Sequence, residues 1–370
     1  MKWIVDASPL CYPLAGIGQY TLGLLKALSA AKPDWTFVLV APYEPLVNIT
    51  AANVVWDPVI ARAQQKRRVG WRAWWFDVEL PRVVRCLNAT GFWAASGMVP
   101  FALRGIDVAL TVYDFVTEHY PETMSWYPRA YRRLNSKYWM KRARWRLPIS
   151  QAVADEMTEM HGVYADAIVY PGVDKIFFQI KDKADIASGM SNYALVVGTL
   201  EPRKNLVTMV MVIESLVQAG DWPQHLEVHL VGGKGWQDGE LLRCIERLES
   251  AGIARRLGYV ERDDMPSLMN QARALLMPSV YEGFGMPIAE ALAAGCPVIC
   301  SDIPPFREIY SGPSIAFHKL DHDSLVRAYR QHLCHRYGLI RPEGNEAVGT
   351  FLWEESARRF IAVTSTWTGI

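Results

Sequence analysis

The sequence predicts an α/β protein of two domains, each a parallel sheet covered by helices on both faces. Short apolar runs alternate with segments of helical periodicity through the first half, and the same alternation restarts at Ala194. The chain has 370 residues, enough for two substantial cores, and half of them are hydrophobic, so it is globular. Between the two alternating halves, residues 175–191 are polar and irregular and read as a linker.

The elements follow in order. Trp3–Ala7 is a first strand, so the start does not read as a signal peptide. Cys11–Gly18 reads as a loop closing in Gly16-Ile17-Gly18, before a helix over Tyr20–Ala31. Strand, glycine turn and helix allow a backbone to approach a phosphate at the helix N-terminus. No full GxGxxG is present and no suitable acid follows ~20 residues on, which argues against a dinucleotide site. Thr36–Val40, Asn53–Trp56, Phe92–Ala94 and Val108–Tyr113 are further strands. Open sheets of this kind bind ligands at the carboxyl ends of their strands, where Tyr113 and Asp114 lie. Leu147–Ser150 and Gln151–His161 read as strand and helix, and Ala167–Tyr170 leads to Pro171-Gly172-Val173-Asp174.

The second half opens with the strand Ala194–Gly198. It is followed by Glu201-Pro202-Arg203-Lys204-Asn205 and a helix over Leu206–Ala219. Two cations at a strand end that opens a helix are placed to grip a diphosphate, Arg as a planar fork and Lys as a mobile point charge. His225–Val231 is a strand ending in Gly232-Gly233-Lys234-Gly235-Trp236, which lacks the spacing of a P-loop. Leu257–Val260 ends another strand, Asp263-Asp264-Met265-Pro266 begins a short helix, and Ala274–Met277 leads into the densest motif of the chain.

That motif is PSVYEGFGMPIAEALAAGCPVICSD, residues 278–302. Gly283 and Gly285 allow a tight turn. Pro287 opens a helix to Ala294, Gly295 and Pro297 stop it, and Val298–Cys300 is a buried strand. Glu282 in the loop and Glu290 in the helix can both face one crevice at the helix N-terminus. Carboxylates beside such a terminus would repel phosphate, so they suit neutral sugar hydroxyls.

Pro278-Ser279, Glu282-Gly283-Phe284-Gly285-Met286-Pro287, Glu290-Ala291 and Gly295-x-Pro297-Val298 fall in register with an E-x7-E signature. The stretch resembles the retaining nucleotide-sugar glycosyltransferase family 4, whose fold is GT-B. Pro202-Arg203-Lys204-Asn205 matches that family's PRKN motif, and Pro171–Asp174 resembles its PNGVD without the Asn. The resemblance implies two Rossmann-like domains facing across a cleft, with a C-terminal helix crossing back to the N-terminal domain. The implied boundaries are 1–174 for the acceptor domain, 175–191 for the linker, 192–352 for the donor domain and 353–370 for the returning helix.

The resemblance also implies roles. Arg203 and Lys204 would neutralise the leaving diphosphate. Glu282 would contact the transferred sugar and Glu290 the ribose. Ser279, Phe284, Gly285, Met286 and Pro287 would complete the donor pocket, with Gly198, Tyr259 and Val260 of the second domain and Gly16 and Gly18 of the first. The family usually has His-Asp where this chain has Tyr113-Asp114. Asp114 is kept among the catalytic residues, the usual imidazole is missing, and His119 reads as a surface loop residue. Within that family the sequence most resembles bacterial mannosyltransferases of polysaccharide and O-antigen assembly, a part of lipopolysaccharide biosynthesis. They imply retaining hexosyl transfer from GDP-mannose to a saccharide or polyprenyl-diphosphate-linked acceptor, with no metal or other cofactor. UDP- and dTDP-sugars, and a non-catalytic nucleotide-sugar binder, are the alternatives.

Composition adds an expectation about partners. Residues 1–170 hold 19 Lys/Arg against 14 Asp/Glu, a balance of +5, and residues 171–370 hold 20 against 24, a balance of −4. Arg62–Phe76 and Ser125–Pro148 combine cations with aromatics. The second has eight Lys/Arg and no acid, with Arg129, Arg133, Lys137, Lys141 and Arg144 at helical spacing. Such a face suits an anionic membrane surface, and no nucleic-acid motif accompanies it. No apolar run is long enough to span a bilayer, and six scattered cysteines suit buried free thiols, so a cytoplasmic, peripheral enzyme is expected.

Overall fold

A computed structural model describes residues 1–57, 71–121, 126–179, 192–233, 239–335, 339–342 and 348–365. Residues 62–70 of the first basic stretch, Ser125, linker residues 180–191 and Lys234-Gly235-Trp236 lie outside the described residues. The chain forms two compact units. One comprises Met1–Phe115, Ala130–Gly172 and Phe351–Ile370, and the other Val116–Arg129 and Val173–Thr350.

The first unit holds strands β1 (Lys2–Asp6), β2 (Thr36–Val40), β3 (Val54–Trp56), β4 (Gly91–Ala94), β5 (Asp107–Val112) and β6 (Trp145–Pro148). They form one parallel sheet in the order β3-β2-β1-β4-β5-β6. Its helices include α1 (Gly16–Ala31), α2 (Leu80–Cys86), α3 (Trp126–Arg142) from Ala130 onward, and α4 (Gln151–His161). In the second unit β7 (Tyr193–Val197), β8 (Glu227–Val231), β9 (Ala254–Gly258), β10 (Leu275–Met277), β11 (Val298–Ser301) and β12 (Ile315–His318) order as β12-β11-β10-β7-β8-β9. Helices α5 (Leu206–Gln218), α6 (Gly239–Ser250), α7 (Met265–Gln271), α8 (Met286–Ala293), α9 (Pro304–Ile309) and α10 (His322–Ala328) cover it, and α11 (Trp353–Thr364) ends the described chain.

Counted from its own first strand, each sheet has the doubly wound order 3-2-1-4-5-6. In such sheets the strand order reverses between strands 1 and 4, and loops leaving that point open a crevice at the carboxyl edge. In the second unit the reversal falls between β7 and β10. The loops leaving those two strands carry Arg203 and Lys204, and Ser279 and Glu282. The fold therefore brings together two motifs about 80 positions apart in the chain.

In the first unit the core is aromatic. The Trp3 ring lies 6.1 Å from Trp35, 5.9 Å from Trp145 and 5.5 Å from Phe360, centroid to centroid. Helix α11 packs along α1. At the contact a Cβ on Gly23 would fall 2.2 Å from the Trp353 ring, and one on Gly172 would fall 2.4 Å from the Trp353 backbone nitrogen. Ser356 Oγ donates to the Tyr170 carbonyl at 2.6 Å.

The structure corrects several element boundaries. Helix α1 starts at Gly16, so Gly16 and Gly18 occupy its first turn instead of a preceding loop. Gly18 is needed for close packing, since a Cβ there would lie 3.1 Å from the Pro9 carbonyl. Lys175–Phe178, placed in the linker by sequence, is a 3-10 turn. The six cysteines are free, but Cys86 is exposed and Cys334 half-buried, so the expectation of uniformly buried thiols fails.

Gly23→Ala should lower stability by about 2 kcal/mol through overpacking against Trp353. Gly239→Ala, at a site with nothing within 4 Å of a new Cβ, should change the melting temperature little. Equal melting temperatures for the Gly23 variant and wild type would contradict the packing of α11 on α1.

Candidate functional site

The site in the second unit starts from a backbone requirement. Gly198 ends β7 with φ +136°, and a Cβ there would lie 3.2 Å from Lys204 Cε and Nζ. Gly232, at the end of β8, has φ +140° and packs so tightly that a Cβ would lie 2.2 Å from the Gly198 carbonyl oxygen. These two glycines let the chain turn and leave room for the lysine. Pro202–Lys204 then forms a single 3-10 turn, closed by Asn205 in the left-handed region at φ 56°.

The Glu282 carboxylate stands at the centre of this turn. Lys204 Nζ donates to its Oε1 at 2.5 Å and Ser279 Oγ donates to the same oxygen at 3.0 Å. Arg203 Nη1 donates to Oε2. Arg203 Nε also donates to Glu201 Oε2 at 2.8 Å, so the guanidinium bridges two carboxylates. The loops are stitched together by the backbone as well, Val280 N–H donating to the Arg203 carbonyl at 2.9 Å. Ser279, Lys204 and Glu282 are all buried. Burial alone would raise the Glu282 pKa, but the charges of Lys204 and Arg203 and their hydrogen bonds hold it down, to about 2. The sequence reading paired neither cation with a carboxylate, so this mutual neutralisation is new.

Gly285, φ +120°, caps α8, and a Cβ there would strike the Phe306 ring at 2.8 Å. Pro287 stands in the first turn of the helix. Phe284 is buried and Met286 and Pro287 are half-buried at the mouth of the turn. Glu290 lies one turn inside α8 and is 4% exposed. Its Oε1 is 2.7 Å from Arg262 Nη2, an ion-pair distance, though off the axis of a good hydrogen bond. Burial raises the Glu290 pKa and Arg262 opposes the rise. Tyr259 is exposed and Val260 half-buried, both just past the end of β9.

Sequence reasoning missed Arg262, whose Nε and Nη2 also donate to Asp174 Oδ2 at 2.9 and 2.8 Å. It also missed the place of His119. That imidazole is exposed, but its ring centroid lies 5.1 Å from Tyr281, the neighbour of Glu282. Neither carried a local signal: Arg262 sits among acids in Glu261–Asp264, and His119 meets Tyr281 across more than 150 residues.

The first unit places the remaining candidates. Asp114 is half-buried just past the end of β5, and Gly16 and Gly18 begin α1. Tyr113, standing where the resembled family has His, is buried, and its hydroxyl donates to the Ala95 carbonyl at 2.6 Å. Burial drives its pKa far up, so it is a neutral clamp between the ends of β4 and β5 and no substitute for an imidazole. Asp6, at the reversal point of this sheet, is fully buried and accepts from the Ser8 N–H, and burial raises its pKa.

The basic segment is only partly as expected. On α3, Arg133, Lys137 and Lys141 are exposed, with Leu134 79% exposed among them. Several aromatic rings turn inward, and Arg144 lies over the Trp145 ring at 5.0 Å. Trp139 and Trp145 are buried, Tyr131 Oη donates to Asp77 Oδ2 at 3.0 Å, and Tyr138 stacks on Phe101 at 5.0 Å. Arg144 lies beyond the helix and pairs with Asp107 at 2.7 Å. Among the described residues no helix is long and apolar enough to cross a membrane.

Two doubly wound sheets with a cation–carboxylate cluster at a strand reversal have counterparts among known proteins. Residues 178–333, nearly all in the second unit, match the model of the family Glycosyl transferases group 1. The chain is 27% identical over 354 residues to O-antigen chain mannosyltransferase B of Escherichia coli, covering 88% of each chain. It is 29% identical over 337 residues to O-antigen chain mannosyltransferase RfbU of Salmonella typhimurium, covering 88% of this chain and 90% of that one. Among solved structures, a sucrose-phosphate synthase from Thermosynechococcus elongatus aligns over 99% of this chain and 98% of its own, with a TM-score of 0.77 at 17% identity. The fold is GT-B.

The Glu282 pairing has a pH consequence. Its folded pKa lies below its ordinary value of 4.5, so the stabilisation is complete above about pH 4.5 and is lost as pH falls towards 2, to the extent of about 3 kcal/mol. Denaturant titrations of wild type and Glu282→Gln should differ in slope across that window, with the variant flatter and less stable at neutral pH. Parallel curves would contradict the pairing.

Proposed function

We propose that the chain is a retaining mannosyltransferase. It moves mannose from GDP-mannose to a saccharide or polyprenyl-diphosphate-linked saccharide in the assembly of a cell-surface polysaccharide such as O-antigen. The observation that carries the reading is the cluster of Arg203, Lys204, Ser279 and Glu282 at the β7–β10 reversal. The names of the two long-matching relatives favour mannose and O-antigen.

In this reading the ligand-free cluster is neutral, two cations facing Glu201 and Glu282. An arriving diphosphate takes the cations, and Glu282 is released to accept hydrogen bonds from hydroxyls of the transferred sugar. Fixed cations aimed at charge that grows on the leaving diphosphate lower the barrier without reorganising at the moment of reaction. The departing phosphate oxygen receives the acceptor proton on the face it leaves, which gives retention and requires no covalent enzyme intermediate. No metal ion is called on, because side chains carry the neutralisation. Glu290 holds the ribose hydroxyls, the backbone from Phe284 to Pro287 borders the sugar, and Tyr259 and Val260 border the base. Asp114 is the candidate of the first unit for a contact to the sugar, and Gly16 and Gly18 leave the start of α1 open to the substrates.

Removal of both cations tests the core of the proposal. Arg203→Ala with Lys204→Ala should abolish transfer and weaken GDP by at least about 100-fold, two charge-assisted contacts being lost. Unchanged GDP affinity would place the nucleotide elsewhere. A thermal-shift panel of GDP-, UDP- and dTDP-sugars at one common concentration, ~100 times the dissociation constant of GDP-mannose, should show GDP-mannose stabilising the chain most, by about 2.7 kcal/mol. A larger shift with a UDP- or dTDP-sugar would reassign the donor.

The exposed cations of α3 support peripheral docking on the anionic cytoplasmic face of a membrane, each worth about 1 kcal/mol near the surface and fading within ~8–10 Å. With the aromatic rings turned inward, charge carries this docking. Binding to vesicles containing phosphatidylglycerol should be strong at low salt, weak at high salt, and lost in the triple change of Arg133, Lys137 and Lys141 to Gln. Wild-type protein that ignores such vesicles at low salt would remove the membrane from the reading.

A further inference from the structure

Arg262 does more than balance one buried charge. It leaves the loop after β9, lays its guanidinium over the Phe177 ring at 4.6 Å, and donates twice to Asp174. Its Nη2 also stands against Glu290. Asp174 and Phe177 belong to the segment that enters the second unit, and the turn Lys175–Phe178 packs on helix α8, the helix that carries Glu290. One guanidinium is thus fixed from three sides, by a ring and by carboxylates on two different segments.

The fixing matters because, among the described residues, Arg262 is the one cation at ion-pair distance from Glu290. A buried carboxylate is costly unless paired, and a poorly aligned ion pair leaves lone pairs that still need donors. Arg262 offsets part of the cost of burying that charge and holds the group from one side, while its off-axis approach leaves acceptor capacity for hydroxyl donors. Two vicinal hydroxyls, as on a ribose, are the donors that a single carboxylate accepts as a pair.

We infer that Arg262 is a positioning residue for the nucleotide: held by Asp174 and Phe177, it fixes the Glu290 carboxylate in the orientation that receives the ribose hydroxyls. This rests on the donor site proposed above. It gives the Pro171–Asp174 motif a physical task, since Asp174 anchors the arginine that sets the pocket.

The test compares GDP with 2′,3′-dideoxy-GDP by calorimetry on the full chain, with the two UDP counterparts in parallel. Wild type should prefer the ribonucleotide by at least about tenfold, the value of a charge-assisted hydrogen bond. Arg262→Gln should bring that ratio near one by weakening the ribonucleotide, with affinity for the dideoxy form held within about twofold. In a Glu290→Gln background the same change should add nothing to the ratio, because the two residues act as a unit. Equal weakening of both nucleotides by Arg262→Gln would show a merely structural role and overturn the inference. So would a ratio that survives in Arg262→Gln but is lost in Glu290→Gln, and that result would leave the donor site standing. Wild type with no preference for the ribonucleotide would overturn both. Circular dichroism checks the fold, and if Arg262→Gln does not fold, Arg262→Lys carries the comparison, keeping the charge but losing the fork across two carboxylates.

Discussion

The ion pairs that Glu282 makes with Lys204 and Arg203 constrain everything else in the second unit. A carboxylate and an ammonium this deeply buried are tolerable only when each neutralises the other and the remaining hydrogen-bonding capacity is filled. Ser279 fills one position on Glu282, and Glu201 holds the other edge of Arg203. For these side chains to meet, the loops after β7 and β10 must leave adjacent strands in the same direction, which a doubly wound sheet achieves at its point of reversal. Gly198 and Gly232 are part of the same constraint, since a side chain at either would push the two loop backbones or the lysine aside. A cluster that is neutral when empty must change partners to accept an anion. In the proposed reading, that exchange lets a carboxylate sit among the cations that take the diphosphate without blocking them.

Much of this was legible in the sequence because the signals are local. The glycines, proline and carboxylates of residues 278–302 lie within one turn, helix and strand, and helix α8 begins one residue before the position read from Pro287. Most strands of both sheets were visible as short apolar runs, although β9 carries Arg255 and Arg256. Two things were not. Strand β12 is a four-residue edge strand that the reading passed over, and the start of α1 at Gly16 goes against the low helix propensity of glycine. The tertiary partners of the site were hidden for a different reason. Arg262 and Asp174 are 88 positions apart, and the pairing of Arg203 with Glu282 spans 79. Spacing along a chain cannot supply contacts that only the folding of two sheet edges creates.

The basic helix shows how composition misleads. Arg, Lys, Tyr and Trp alternate along Trp126–Pro148 and read as one amphipathic surface. The fold separates them instead, sending Trp139 and Trp145 into the aromatic core and leaving Arg133, Lys137 and Lys141 in solvent. Tyr113 shows the same lesson at the level of one residue. Its position suggests chemistry, yet its hydroxyl is committed to a backbone carbonyl and its pKa is driven out of any useful range.

The most direct measurement of the central claim is a crystal structure of the chain with GDP-mannose or GDP bound. The account predicts diphosphate oxygens within about 3 Å of Arg203 and Lys204, with Glu282 turned off the lysine towards the sugar site. A nucleotide bound while Lys204 and Arg203 still hold Glu282, with no phosphate touching either cation, would contradict it.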